Sequence, residues 1–184
     1  MRSTTLILIA SLMGFCTQSL LPQPVAAHSV PASNDSALVT ELDACPVSGA
    51  SSFVDSWGDA RSSGRRHEGV DMEATRGTPV VAVRAGTAEF KRSNLGGNAI
   101  WLTAATGERF YYAHLDAWEG ESRQVTAGDV IGYVGQTGNA RGDHLHFETR
   151  AADTAVNPFP LVQSACLPAT ESGPGLAARR PLLW

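Results

Sequence analysis

The sequence has little lysine and no run of basic residues, and Lys91 is its single lysine. Its formal net charge at pH 7 is −4. Nucleic-acid-binding domains usually carry a basic patch or stripe, so we expect no nucleic-acid partner. The chain also lacks a G-x-S-x-G segment, which excludes the serine nucleophile typical of α/β-hydrolases. Another source of hydrolytic chemistry is therefore required if the protein is a hydrolase.

Long hydrophobic runs are equally scarce. The apolar run at residues 6–15 is shorter than the roughly 20 apolar residues that a membrane-spanning helix needs. It follows Met1-Arg2 and precedes the small residues Val25-Ala26-Ala27. This order is typical of a secretory signal peptide, and we predict residues 1–27 to be one. An N-terminal core helix is the alternative, but the run shows neither helical periodicity nor caps. No integral membrane segment is expected after signal removal.

Cysteine is rare as well, with three in the chain and no CxxC pair. A redox motif or a cysteine zinc site is therefore not indicated. Removal of the signal peptide would leave Cys45 and Cys166, which can close one disulfide outside the cytoplasm. Such a bridge would tie the start of the mature chain to its end, and two free buried thiols are the alternative. We predict a leader and N-terminal segment at 28–55, and a C-terminal tail at 161–184 tied by Cys166.

No ten-residue helical pattern occurs between Val70 and Glu148. Short β runs separated by glycine-containing turns occupy this region instead, at residues 79–83, 86–90, 98–103, 109–114, 130–134 and 144–148. Residues 38–42 predict a short helix or strand before these runs. The pattern predicts an all-β domain, built from packed sheets or barrel-like.

The five histidines are distributed unevenly. One, His28, lies at the expected cleavage point, and the other four fall in three short polar motifs. His144-Leu-His146 lies on a predicted strand, so both imidazoles share a face while Leu145 points to a core. Two such histidines can bind zinc together, or one can bind while the other performs acid–base chemistry. Two exposed strand histidines are the alternative without function.

The second motif is His67-Glu-Gly-Val-Asp71. In an extended chain His67, Gly69 and Asp71 share a face, and Gly69 would leave room for a metal to approach the backbone. An imidazole and a carboxylate suit zinc, although a surface histidine beside a solvated aspartate would look the same. The third motif places His114, by strand alternation, on one face with Phe110 and Tyr112. Alone, it is also typical of a half-buried strand histidine.

Together, the motifs offer three metal ligands and leave a fourth zinc position for water, as in catalytic sites. Zinc lowers the pKa of that water and polarises a carbonyl. The two remaining histidines can move protons and stabilise charge on the carbonyl oxygen.

At these residues the sequence strongly resembles the lysostaphin-type zinc metalloendopeptidases, also called LytM-domain peptidases. The family pattern is HxxxD, then a histidine in a Tyr-x-His-Leu context, then HxH. The matching segments are His67-Glu-Gly-Val-Asp71, Tyr112-Ala-His114-Leu115 and His144-Leu-His146. Residues 75–83 and 128–135 also match, and the resemblance covers about residues 56–158, within a zinc peptidase domain predicted at 56–160.

The resemblance implies one zinc ion held by His67, Asp71 and His146, with His114 and His144 as the catalytic pair. It implies antiparallel β-sheets of the duplicated hybrid motif type after an irregular N-terminal segment. It also implies a peptidoglycan peptide as substrate and a location in the periplasm, the cell envelope or the medium of a bacterium. We expect a monomer.

Two other functions remain open from the sequence. Some LytM-like domains are binding modules that activate another cell-wall hydrolase, but these typically lack part of the ligand set, which is complete here. The second of these functions is that of a zinc endopeptidase that cleaves a protein instead of peptidoglycan.

Overall fold

The computed structural model describes residues 39, 41–151 and 153–167. Within these residues the chain forms ten strands, a short 3-10 turn at Ser62–Gly64 and one α-helix, α1, at Phe159–Cys166. The strands are β1 Val70–Glu73, β2 Pro79–Val81, β3 Gly86–Ser93, β4 Gly97–Ala104, β5 Arg109–Leu115, β6 Ala117–Trp118, β7 Arg123–Val125, β8 Val130–Tyr133, β9 His144–Ala151 and β10 Thr154–Val156.

The strands form two sheets. The large sheet has the order β1-β9-β5-β4-β3-β7, with β10 also paired to β9, and the small sheet has the order β2-β8-β6. Each of these pairings is antiparallel. The predicted all-β domain of antiparallel sheets is therefore confirmed.

Strand β9 gives the large sheet two chemically different faces. Because side chains alternate along a strand, Leu145 and Phe147 are fully buried, whereas His144 and His146 point to the other side, as predicted. Strand β1 follows the same rule, and its register places Asp71 directly opposite His146. Two polar motifs far apart in sequence are thus brought side by side by strand pairing.

The core lies between the back of the large sheet and the small sheet. Phe110, Phe147 and Ile100 from the large sheet belong to one buried cluster with Val80 and Ile131 from the small sheet. Burial of each such side chain contributes roughly 1.5–3 kcal/mol, before the entropy cost of ordering the chain. This packing holds the opposite, front face of the large sheet in a fixed position.

The six strands predicted from the sequence are confirmed, although β2 ends two residues earlier than expected and β3 and β9 run three residues further. The prediction for residues 38–42 is wrong where it can be compared, since residues 39, 41 and 42 have no regular structure. The sequence did not indicate β6, β7 and β10, which have only two or three residues and so show no periodicity. It also missed the eight-residue helix α1.

Cys45 and Cys166 are joined in the structure, with their Cα atoms 4.8 Å apart. This pairing attaches the end of α1 to the segment that precedes β1, and Val162 of α1 is buried in the core. The predicted signal peptide, residues 28–38 of the leader and the tail from residue 168 lie outside the described residues. Within the described part, no helix is both long and apolar enough to cross a membrane.

Candidate metal centre and groove

A groove of about 940 Å³ runs across the front face of the large sheet. Strands β1, β9, β5 and β4 contribute to its floor. One wall is a hairpin at residues 59–67, here called the lip hairpin, and another is the loop at residues 136–143, called the far lip. All the residues predicted for the site lie in this groove, namely His67, Asp71, His114, His144 and His146.

Three of these side chains converge on one point. His67 Nε2 lies 3.0 Å from Asp71 Oδ1, and His146 Nδ1 lies 2.9 Å from the same oxygen. The two imidazole nitrogens are themselves 3.0 Å apart. Among the described residues, this trio is the group of histidine, cysteine and acidic side chains with the spacing of a metal site.

Hydrogen bonds behind the two imidazoles determine which ring nitrogen faces the centre. His67 Nδ1 donates to the carbonyl oxygen of Ser56 at 2.9 Å, so its Nε2 presents a lone pair. His146 Nε2 donates to Glu148 Oε1 at 3.0 Å, so its Nδ1 does the same. Two ring nitrogens and a carboxylate oxygen therefore face one another at 2.9–3.0 Å, close enough for all three to bind one metal ion.

The electrostatics of the trio agree with the binding of a cation at this point. Burial would raise the pKa of the Asp71 carboxyl, but its contacts with His146 and His67 hold that pKa well below its usual range. Burial opposes a charge on His146, yet contacts with Asp71 and Glu148 raise the pKa of its imidazole overall. The cluster thus attracts positive charge, and its nitrogen and oxygen donors suit zinc.

His114 reaches the groove by a route that strand alternation does not predict. Phe110 and Tyr112 are fully buried in the core, so the expectation that His114 shares their face is wrong. The backbone of His114 has φ 65°, a left-handed conformation, and the β4–β5 register shifts at this point. This irregularity turns the imidazole to the groove, and such strain is concentrated at functional sites.

The His114 imidazole is neutral at pH 7. Its Nδ1 donates to the carbonyl oxygen of Thr137 at 2.8 Å, which leaves Nε2 as a proton acceptor. Burial lowers the pKa of His114 to about 4, although the Thr137 carbonyl favours the charged form. The His114 and His144 ring centres are 4.8 Å apart.

His144 is fixed in the same way. Its Nδ1 donates to the carbonyl oxygen of Gly142 at 2.8 Å, and its Nε2 lies 3.8 Å from Asp71 Oδ1. Both histidines outside the trio therefore offer Nε2 to the groove beside the metal candidate. The structure brings the five residues together, while their individual roles stay predictions.

The structure gives a steric reason for the absence of a side chain at Gly69. A Cβ atom at this position would lie 2.6 Å from the Phe147 carbonyl oxygen and 2.7 Å from His146 Cε1. The missing side chain thus makes room for the imidazole of His146.

Two contacts of the trio were not predicted from the sequence. Glu148, buried beneath His146, accepts hydrogen bonds from His146 and from Arg150. The sequence does contain an indication of the Glu148 contact, since positions 144, 146 and 148 share one face of β9. Arg61 donates to Asp71 Oδ2 at 2.6 Å from the lip hairpin, and no spacing rule indicates this partner.

Comparison with known proteins agrees with this geometry. The model of peptidase family M23 matches residues 65–158. The chain is 43% identical over 108 residues to the DD-carboxypeptidase/endopeptidase Mpg of Neisseria meningitidis, a match that covers 58% of this chain and 24% of the relative. The chain thus spans about a quarter of the length of this relative.

Solved structures are similar as well. The catalytic domain of lysostaphin from Staphylococcus simulans is 33% identical with a TM-score of 0.55, over 61% of this chain and 92% of that one. A zinc-containing peptidase from Vibrio cholerae is 25% identical with a TM-score of 0.57, over 63% and 38%. The resemblance to the lysostaphin-type peptidases is confirmed, and the chain belongs to peptidase family M23.

Proposed function

We propose that this protein is an exported zinc metalloendopeptidase that cleaves peptide bonds in bacterial peptidoglycan. The observation that carries the proposal is the convergence of His67 Nε2, Asp71 Oδ1 and His146 Nδ1 at 2.9–3.0 Å, with two further histidines beside them. Three protein ligands leave one tetrahedral position open, which is the arrangement of catalytic zinc sites.

In this proposal His67, Asp71 and His146 hold one zinc ion. When bound, zinc supplies Lewis acidity that lowers the pKa of water and polarises the peptide carbonyl. The residues around the zinc site orient its ligands and transfer protons. Glu148 and the Ser56 carbonyl keep both ligand imidazoles oriented, as partners behind metal ligands generally do.

His114 and His144 move the proton. Peptide hydrolysis adds a hydroxyl group to the carbonyl carbon and a proton to the departing nitrogen. His114, neutral because of its lowered pKa, can accept a proton at Nε2, since its Nδ1 hydrogen is committed to Thr137. His144 has the same free nitrogen 3.8 Å from Asp71, so it can carry the proton toward the leaving amine.

The substrate class is supported by the relatives. Similar proteins are named a DD-carboxypeptidase/endopeptidase and lysostaphin, and a groove open along a sheet suits an extended peptide. The predicted signal peptide and the Cys45–Cys166 pair support export.

The test uses the purified full chain and several types of isolated sacculi. Mass spectrometry of the released muropeptides is compared with and without a chelator. We expect zinc-dependent peptide release. Folded, zinc-loaded protein that releases nothing from any wall type would contradict the proposal. Cleavage of proteins alone would favour the protein-directed peptidase, and metal-free activation of an amidase would favour the binding module.

Variants separate ligands from proton carriers. Alanine at His67, Asp71 or His146 should remove the metal. Alanine at His114 or His144 should retain it while lowering the rate by roughly a hundredfold or more, since a positioned acid or base contributes about 10²–10⁴. Metal content and peptide release are measured on the same samples.

A further inference from the structure

The groove is richer in arginine than the chain as a whole. The chain carries a formal net charge of −4. Five arginines nevertheless line the groove, against four carboxylates, which are Glu68, Asp71, Glu73 and Glu148. The local balance of charge is thus opposite in sign to that of the protein. A surface of this kind attracts anionic ligands.

Two of these arginines are already neutralised. Arg61 pairs with Asp71 at 2.6 Å, and Arg150 pairs with both Glu148 and Glu68 at 2.6 Å. Among the described residues, the other three groove arginines, Arg65, Arg66 and Arg141, are exposed and form no salt bridge. Arg66 donates to the Gly58 carbonyl at 3.1 Å, which leaves Arg65 and Arg141 without a carbonyl or carboxylate partner.

Arg65 lies on the lip hairpin, which is held together by backbone hydrogen bonds. The Arg61 N–H donates to the Arg65 carbonyl at 2.9 Å, and the His67 N–H donates to the Asp59 carbonyl at 2.9 Å. Arg61 and Arg65 therefore lie across from each other on the hairpin. The Arg61 side chain pairs with Asp71, whereas Arg65 Nη2 donates to the Ser62 hydroxyl at 3.3 Å. Arg65 therefore carries a charge that no carboxylate of the described residues pairs with.

Arg141 lies on the far lip. Its Asn139 N–H donates to the Leu95 carbonyl at 2.8 Å, which fixes the loop against the turn before β4. Arg141 follows two residues later and leads into His144 at the start of β9. Glu68, which directly follows the lip hairpin, pairs with Arg150 near the other end of β9. Arg65 and Arg141 thus lie on two different walls of the groove that contains the metal candidate.

We propose that the groove selects peptides that carry free carboxylate groups, with Arg65 on the lip hairpin and Arg141 on the far lip as the anchors. This inference rests on the proposed function and narrows its substrate class to acidic peptides. The physical reason is that a guanidinium group binds a carboxylate through two parallel hydrogen bonds. A peptide whose carboxylates are amidated, or one made of glycine alone, lacks that partner.

The test measures binding apart from turnover. The full chain with His144→Ala is mixed with untreated sacculi and with sacculi whose carboxyl groups have been converted to primary amides. The bound fraction is measured by co-sedimentation at low and high salt. We expect amidation to weaken binding about threefold to tenfold, because exposed charge pairs contribute modestly. High salt should remove the difference.

Substitutions in the same background assign the effect to residues. Arg65→Gln and Arg141→Gln should each weaken binding to untreated sacculi by about threefold and leave binding to amidated sacculi unchanged. Arg92→Gln is the matched control, since Arg92 is an exposed arginine outside the groove. Unfolding midpoints verify that each variant is folded.

The outcomes separate this inference from the proposed function. Equal binding to untreated and amidated sacculi would overturn the inference. The same holds if Arg65→Gln and Arg141→Gln keep the full preference for untreated sacculi. Equal peptide release by the wild-type protein from both walls would also overturn it, with the peptidase function intact. Binding that follows the carboxylates without peptide release from either wall would support the inference and contradict the function.

Discussion

Arg61 donates a hydrogen bond to Oδ2 of Asp71 at 2.6 Å, while Oδ1 of the same carboxylate faces His67 and His146. The two oxygens therefore have separate partners. Arg61 restrains rotation of the carboxylate so that one oxygen stays directed at the metal candidate. Arg61 belongs to the lip hairpin, so this hairpin contributes to the position of the Asp71 carboxylate.

The first prediction concerns this restraint. Arg61→Gln should weaken zinc affinity about tenfold, the lower end of the range for partners behind metal ligands. Competition with a chromogenic chelator measures the affinity. Arg65→Gln is the matched control, because it removes an arginine from the same hairpin without touching Asp71. Tighter zinc binding in Arg61→Gln would show that repulsion between the guanidinium and the cation outweighs positioning.

A second prediction follows from burial of His114, which lowers the pKa of its imidazole from 6.5 to about 4. Between these values the unfolded chain binds a proton that the folded protein does not. The stabilisation is therefore complete above pH 6.5 and is lost as the pH falls toward 4. We expect His114→Asn to lose less unfolding free energy than the wild type between pH 7 and pH 4.5.

Urea unfolding in the presence of a chelator measures this difference without a metal contribution. Asparagine is chosen because it tolerates the left-handed backbone at this position better than most residues. Tyr112→Phe serves as the control, since the Tyr112 hydroxyl does not titrate in this range and only its hydrogen bond from Val83 is lost. Parallel pH dependence in wild type and His114→Asn would contradict the prediction.

The sequence predicts the site residues better than it predicts how they are brought together. Strand alternation alone correctly separates His144 and His146 from Leu145, because β9 is regular. It fails at His114, where a left-handed residue reverses the side-chain direction. Such a bulge depends on tertiary contacts, including the 2.7 Å hydrogen bond from the His114 N–H to the Gly96 carbonyl. No local pattern encodes that contact.

The same limit applies to the partners of the trio. Glu148 could have been found, since it lies two residues beyond His146 on the same strand face. Arg61 could not, because its contact with Asp71 depends on how an irregular hairpin folds over β1. The positions of Ser56 and Glu148 were also needed to determine which nitrogen of each imidazole faces the metal candidate.

The third prediction concerns Glu148. Burial would raise the pKa of this carboxyl, but His146 and Arg150 lower it overall, so Glu148 is charged at neutral pH. Glu148→Gln keeps an oxygen that can accept from His146 but removes the charge. Zinc affinity should fall about tenfold. Glu68→Gln is the control, because it removes the other carboxylate partner of Arg150 and leaves His146 untouched. Equal affinities in the two variants would exclude a role of the Glu148 charge.

Gly69 provides a test in which no ligand or partner side chain is altered. Gly69→Ala adds one methyl group that would lie 2.6 Å from the Phe147 carbonyl oxygen and 2.7 Å from His146 Cε1. The carbonyl belongs to the β9 backbone and cannot yield easily, so the imidazole must move away from the trio. We expect zinc affinity to fall at least about tenfold. Gly142→Ala is the matched control, since a methyl group there meets no atom within 4 Å. Zinc affinity is measured by chelator competition, and circular dichroism verifies the fold. If folded Gly69→Ala binds zinc as tightly as Gly142→Ala, close packing of Gly69 against His146 does not position the ligand.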